Sequence, residues 1–93
     1  MKLPVKYDDI KISQKRMVRE AYITEQKGLC YYCKSPLDQA VPTDISEKKI
    51  RYELYPSGFF NSRVHLHHSH TTGLTVGAVH CYCNAVLWEH ESE

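Results

Sequence analysis

The four cysteines are the feature that most constrains the fold of this 93-residue chain. A chain of this length fits one domain with a small core, because only 42% of its residues are apolar and seven of those are tyrosines. Such a core usually needs a disulfide or a metal ion to stabilise it. Cys30 and Cys33 have the two-residue gap of a metal-binding knuckle, and Cys81 and Cys83 lie beside His80.

The cell compartment inferred from the sequence favours a metal over disulfides. The first residues contain no apolar segment typical of a signal peptide, and no run is long enough to span a membrane. We therefore expect an intracellular, cytoplasmic protein with no membrane partner, in which reduced thiols bind zinc. A disulfide pair and free thiols are the alternatives.

The charge is unevenly distributed although its net value is only +1. Residues 1–34 carry eight basic and four acidic side chains, whereas residues 64–93 carry three acidic side chains and no Lys or Arg. A basic first third suits a polyanion such as DNA. A solvated helix face would have the same composition.

We predict a helix over residues 13–27, since neither Pro nor Gly interrupts residues 14–26 and Ser13 suits the N-cap. Gly28 suits the left-handed cap that ends a helix. Met17 and Ala21 share one helix face. Basic side chains repeat every four residues on roughly the opposite side, at Lys11, Lys15 and Arg19. We expect this stripe to contact DNA phosphates, the alternative being an ordinary solvated surface.

Four of the six histidines, His65, His67, His68 and His70, lie within six positions. A packed core gains little from such a cluster, because protonated imidazoles repel one another. A histidine cluster is useful, by contrast, in a site that needs both a metal ligand and a general base near neutral pH.

The alternation of residue types around these histidines predicts a strand over residues 63–68, a turn over 69–73 and a second strand over 74–79. A helix should follow from Cys81. Residues 35–63 are predicted to be an irregular insert, with one short strand over residues 50–55.

The order of these motifs resembles the HNH (His-Me finger) nucleases, and among them the recombination endonuclease VII type. The matching residues are Leu66-His67-His68-Ser69-His70, Thr72-Gly73, and Gly77-Ala78-Val79-His80 followed by Cys83-Asn84. The resemblance covers residues 28–34 and 64–85 well and the insert hardly at all.

The resemblance implies an α+β fold, a small zinc-stapled ββα-metal domain with an N-terminal helix. Residues 1–93 would form a single HNH nuclease domain. Its parts would be a basic helix with a zinc knuckle (1–34), the irregular insert (35–63) and the ββα catalytic core (64–90).

The resemblance also implies a metal-dependent DNA endonuclease or nickase, which leaves 5′-phosphate and 3′-hydroxyl ends by a one-metal mechanism. His68 matches the general base. His67 and Asn84 match the ligands of a catalytic divalent ion, namely Mg²⁺, Mn²⁺ or Ni²⁺. His70 matches a position linked to phosphate contact, unless it is a plain loop histidine. The alternative for His67 and His68 is an exposed strand end.

His67 departs from the family pattern, in which this position is usually Asp. Magnesium prefers oxygen ligands, whereas imidazole suits manganese and nickel, so we expect higher activity with the latter two ions. His65 has no family counterpart and is expected to be structural or exposed. His90 could approach the metal only if the last helix runs past it.

The structural zinc site follows from the family's Cys-x-x-Cys-Asn run. Counted back from Asn84, its first ligand is His80, and the His80–Cys83 gap is the two-residue gap that Cys81 and Cys83 lack. We therefore expect a structural zinc ion on Cys30, Cys33, His80 and Cys83, with Cys81 as the alternative ligand.

Two other functions compete with the nuclease: a non-catalytic zinc-stabilised DNA-binding module or partner subunit, and a zinc-stabilised protein-interaction domain. Few residues follow Asn84, whereas junction-resolving relatives carry a dimerisation region there. We therefore expect nicking, or cutting as a homodimer or within a larger phage or DNA-processing assembly in the host cell.

Overall fold

The computed structural model describes residues 2–92, so Met1 and Glu93, the ends of the predicted 1–93 domain, lie outside the described residues. The chain has an α+β architecture, as predicted. Its main elements are α1 (Ile12–Glu25), α2 (Thr43–Ser46), β1 (Val64–His68), β2 (Thr75–His80) and α3 (Cys81–His90). Short 3-10 helices cover Tyr7–Asp9, Tyr52–Leu54 and Phe59–Asn61. Among the described residues, no helix is long and apolar enough to cross a membrane.

The two strands form an antiparallel hairpin close to its predicted position. Their register runs from the Val64–His80 pair to the His67–Gly77 pair, and then shifts so that His68 lies opposite Thr75. This shift is a bulge, and a bulge breaks the regular alternation of side chains. The extra residue is Val76 of β2, and all five residues of β1, His67 and His68 among them, line one groove.

Helix α1 packs on the hairpin through Val18 and Tyr22, both of which are buried. The Tyr22 hydroxyl hydrogen-bonds with Thr75 Oγ1 on β2 at 2.8 Å. Met17, which was predicted to share a helix face with Ala21, is 60% exposed, whereas Ala21 is half-buried.

The start of α1 also differs from the predicted N-cap at Ser13. The N-cap is Lys11, whose backbone N–H donates to Oε1 of Gln14 at 2.8 Å. The glutamine side chain therefore satisfies a backbone donor that has no backbone carbonyl partner within the helix.

The end of α1 is fixed to β2 by the side-chain amide of Gln26. Its Oε1 accepts from the Ala78 N–H at 2.9 Å, and its Nε2 donates to the Ala78 carbonyl at 2.9 Å. Gly77 makes this approach possible, since a Cβ there would lie 2.7 Å from the Gln26 Oε1 and 2.9 Å from the Tyr31 Cβ. The amide thus pairs with β2 as a neighbouring strand would.

The insert contains no strand over residues 50–55, so that prediction was wrong. A 3-10 turn covers Tyr52–Leu54, and the segment packs on α3. Arg51 binds the Glu89 carboxylate through its backbone N–H at 3.0 Å and its Nε at 3.2 Å. The Tyr55 hydroxyl donates to the Glu89 carboxylate at 2.8 Å. Side-chain contacts with a helix, rather than strand pairing, therefore hold the insert.

The core lies between α1, the hairpin and α3 and extends under the insert. Its buried apolar residues are Val18, Tyr22, Cys30, Leu37, Ile45, Ile50, Ala78, Val79, Cys83, Ala85, Val86 and Leu87. This core contains two of the four cysteines, so a metal site formed by the cysteines would be continuous with the apolar core.

We predict that Gly77→Ala lowers the free energy of unfolding by about 1–3 kcal/mol, because the new methyl group overpacks the contact with Gln26 and Tyr31. Urea unfolding followed by far-UV circular dichroism measures the change. Thr71→Ala in the exposed turn is the control, with an expected effect within about 0.5 kcal/mol. Equal stability of wild type and Gly77→Ala would contradict the close approach.

Candidate metal centre and histidine groove

Four side chains from three segments form a cluster that could hold a metal ion such as zinc. The knuckle after α1 contributes Cys30 and Cys33, the end of β2 contributes His80, and the first turn of α3 contributes Cys83. One ligand atom from each of the four lies within 4.8 Å of the others. Cys81, the alternative ligand, is not in the cluster, and all four cysteines have free thiols.

The His80 ring has the orientation that a metal ligand requires. Its Nε2–H donates to the carbonyl oxygens of Pro36 and Gln39, at 3.0 and 2.9 Å. Because a carbonyl oxygen can only accept, the proton resides on Nε2 and the lone pair on Nδ1. That Nδ1 lies 3.4 Å from the Cys33 sulfur and 3.7 Å from the Cys83 sulfur. Such an outer hydrogen bond is typical of histidines that bind metals.

The thiols interact as an electrostatically coupled group. The hydrogen bond from the Cys83 thiol, together with backbone N–H donors, lowers the pKa of Cys30. The same hydrogen bond and burial raise the pKa of Cys83, while burial is the main cause that raises the pKa of Cys33. Ionisation of one thiol is therefore favoured, and ionisation of the other two would need a cation bound among the sulfur atoms. A Cys3His donor set with this charge pattern fits zinc.

The second feature is a groove of about 530 Å³ between β1, α3, α1 and the insert. Histidines and Asn84 form its floor, Tyr7 with Lys15 and Arg19 forms one wall, and side chains of the insert with Trp88 form the other. None of its described lining residues is acidic. The groove therefore has positive side chains on one wall and apolar rings on the other.

The groove floor brings together His67 and Asn84, the residues expected to bind a catalytic ion. The His67 Nδ1–H donates to the Asn84 Oδ1 at 3.2 Å, and His67 is only 4% exposed. An ion bound by both atoms would replace this proton. Two ligands at about 2.1 Å from one ion and at right angles lie about 3 Å apart, so this pair fits neighbouring positions around a divalent ion. The Asn84 Nδ2 donates to the His65 Nδ1 at 3.2 Å.

His65 therefore has a positioning role that the sequence did not indicate. Its hydrogen bond with Asn84 turns the amide oxygen towards His67. Burial lowers the pKa of His65, with Arg19 adding to the effect, so the ring is the neutral acceptor that this hydrogen bond requires. No pattern in the sequence links positions 65 and 84.

His68, the expected general base, lies at the side of the groove nearest α1. Its ring stacks on Tyr7 at 3.8 Å between centroids and 10° between planes. Burial lowers the pKa of His68, and His70, His67 and Lys15 lower it further against a smaller opposing effect of Asp8. The ring is thus neutral at neutral pH, which is the state that can accept a proton. Tyr7 was not among the predicted site residues.

The remaining predicted residues divide between the groove and other surfaces. His70 lines the groove, with its ring centroid 4.7 Å from that of His68. Lys15 and Arg19 also line it, whereas Lys11 is exposed at the N-cap of α1 and is not a lining residue. His90 bonds instead to the Lys49 carbonyl at 2.8 Å and holds the insert.

Comparison of this chain with protein-family models, curated proteins and solved structures finds no match. The chemistry of the centre is therefore inferred from its own residues and their geometry.

We predict that Cys83→Ala abolishes stoichiometric zinc binding, whereas Cys81→Ala retains it, because only the first removes a member of the cluster. Structural zinc contributes about 10–16 kcal/mol in zinc-finger peptides, comparable to the whole stability of a small domain. Cys83→Ala and chelator-treated wild type should therefore also lose their folded far-UV dichroism. Elemental analysis and dichroism of the matched pair test this, and a fold that persists after exhaustive chelation would contradict it.

Proposed function

We propose that this protein is a metal-dependent DNA endonuclease of the HNH (His-Me finger) type, which hydrolyses phosphodiesters to 5′-phosphate and 3′-hydroxyl ends. The proposal is carried by one observation: His68 lines the same groove as the His67–Asn84 pair. In this proposal His68 is the base and the pair holds a divalent ion, and no carboxylate among the described lining residues would repel phosphate.

His68 would accept the proton of a water molecule as that water attacks the scissile phosphorus in line. Stacking on Tyr7 restricts rotation of the ring, so its nitrogen is held ready for this transfer. His70, beside His68, would donate a hydrogen bond to a non-bridging phosphate oxygen.

His67 and Asn84 would hold the divalent ion, and His65 keeps the Asn84 oxygen directed towards that position. A bound ion would supply positive charge beside the scissile phosphate and the leaving 3′ oxygen. The remaining ligand positions would be left to water and phosphate.

The wall formed by α1 would bind the phosphates that flank the scissile one. Lys15 and Arg19 are half-buried along the groove and point to the same space as the histidines. Their stems pack on protein while their charged ends contact solvent. DNA is therefore the proposed partner.

The proposed zinc ion would have a structural role in this scheme. Cys83 immediately precedes Asn84, and His80 immediately precedes α3. A metal bound at the cluster would fix the first turn of α3 relative to the hairpin. The position of Asn84 opposite β1 would then depend on it.

We predict that the zinc-loaded protein nicks supercoiled plasmid and that His68→Ala lowers the rate by at least about 10²-fold, as expected for loss of a general base. His90→Ala is the matched control, since His90 lies away from the groove and its removal should leave the rate nearly unchanged. Gel electrophoresis of open-circular product gives the rates. Equal nicking by His68→Ala and wild type would contradict the assignment.

The absence of cleavage by a folded, zinc-loaded protein would favour the second function considered above, a DNA-binding module. Such a module would still bind DNA, and its affinity would fall steeply with salt concentration, because binding depends on phosphate contacts and not on a catalytic general base.

We also predict faster nicking with Mn²⁺ or Ni²⁺ than with Mg²⁺, because the imidazole of His67 suits the softer ions. His67→Asp should shift this preference towards Mg²⁺, since it replaces nitrogen by oxygen at one ligand position. Rates across the three metals for both proteins measure the shift. Wild-type activity with Mg²⁺ that equals or exceeds that with the other two ions would refute the role of His67.

A further inference from the structure

We infer that the groove contains a base-binding subsite, formed by Trp88 with Leu54, Tyr55 and Phe59, which stacks an unpaired nucleobase beside the scissile phosphate. This inference rests on the proposed function and specifies its substrate: DNA in which at least one base next to the cut is unpaired.

The position of Trp88 is the first reason. Trp88 follows Asn84 by four residues on α3, so the two side chains share a helix face and lie about 6 Å apart along the helix axis. Both line the same groove. A nucleotide whose phosphate lies at Asn84 would therefore have its base, or that of its neighbour, within reach of the indole ring.

The exposure of this wall is the second reason. Trp88 is 47% exposed and Leu54 is 43% exposed, while Tyr55 and Phe59 beside them are half-buried. Packing of the insert on α3 explains the positions of the Tyr55 and Phe59 rings. That packing does not require an exposed indole at the edge of a groove. An exposed apolar surface beside a polar site is typical of a ligand-binding surface.

The rings of this wall also pack on one another without a ligand. Trp88 contacts Tyr55 edge-on at 5.9 Å, Tyr55 contacts Phe59 at 4.6 Å, and Phe59 contacts His65 at 4.6 Å. The Tyr55 hydroxyl donates to the Ala85 carbonyl and the Glu89 carboxylate. A row of rings thus extends from the surface to the residue that positions Asn84, and little ordering is needed on binding.

The basic residues of the groove select the class of ligand. Lys15 and Arg19 offer positive charge along one side, and the rings offer π-faces along the other. Aromatic rings beside a positively charged groove are the arrangement that binds single-stranded nucleic acid, since the backbone follows the cations and the bases stack. Paired bases within a duplex are stacked on their neighbours and cannot reach a ring in this position.

Trp88 is the only tryptophan of the chain, so its fluorescence reports directly on stacking. Zinc-loaded protein without a catalytic ion would be titrated with three DNAs of about 12 nucleotides: a single strand, an abasic strand with the same number of phosphates, and a duplex. We expect quenching by the single strand and at least about tenfold weaker binding of the abasic strand. Equal affinity for the two strands, or equal quenching by the duplex, would overturn the inference.

Variants separate stacking from folding. Trp88→Leu should weaken binding of a labelled single strand by at least about tenfold, measured by fluorescence anisotropy, and should leave binding of the abasic strand unchanged. Leu54→Ala, in the insert, is a second variant for which a smaller loss in the same direction is expected. Met17→Ala removes an exposed apolar side chain that does not line the groove and should have no effect.

The outcomes also separate this inference from the proposed function. Base-dependent binding by a protein that never cleaves would support the subsite and count against the nuclease. Cleavage without any dependence on bases would support the nuclease and overturn the subsite.

Discussion

The cysteine and histidine cluster is the interaction on which the rest of the structure depends. It joins the knuckle that follows α1, the end of β2 and the first turn of α3 at one point, where the ligand atoms lie within 4.8 Å of one another. The apolar core is small and includes two of the same cysteines. In a chain of this size a bound metal contributes folding free energy that the core alone does not supply. Cys83 of the cluster directly precedes Asn84, so a metal bound at the cluster would affect both the stability of the fold and the geometry of the groove.

The groove is a composite of segments that are distant in the chain. Its floor comes from the hairpin and α3, its basic wall from α1, and its aromatic wall from the insert and the far end of α3. Burial lowers the pKa of both His65 and His68. These two rings therefore stay neutral, which limits their repulsion of each other and of the two cationic side chains that line the groove. The same neutrality suits a hydrogen-bond acceptor and a proton acceptor.

The sequence predicted the hairpin and α3 to within one or two residues, because alternation over residues 63–79 and the change of pattern at Cys81 are local signals. The sequence-based predictions were wrong where packing between distant segments, and not the local pattern of residues, decided the structure. Ile50 and its neighbours alternate like a strand, yet the segment packs on α3 through Arg51 and Tyr55. Met17 has the spacing of a core residue, yet α1 buries Val18 and Tyr22 instead. The spacing of apolar residues does not specify which side of a weakly amphipathic helix meets a sheet.

The sequence by itself determined the local features: the two-residue gaps of Cys30–Cys33 and His80–Cys83, the histidine-rich strand, and the turn and helix that follow it. Those features depend on covalent spacing and short-range geometry. Only the tertiary structure decided the contacts among distant segments: Gln26 against Ala78, Tyr7 against His68, His65 against Asn84, and Trp88 beside the insert. These contacts join residues between 19 and 61 positions apart in the chain. No local sequence pattern predicts such partners. Such contacts arise when the core and the cluster bring the segments together, so their geometry is a property of the folded chain.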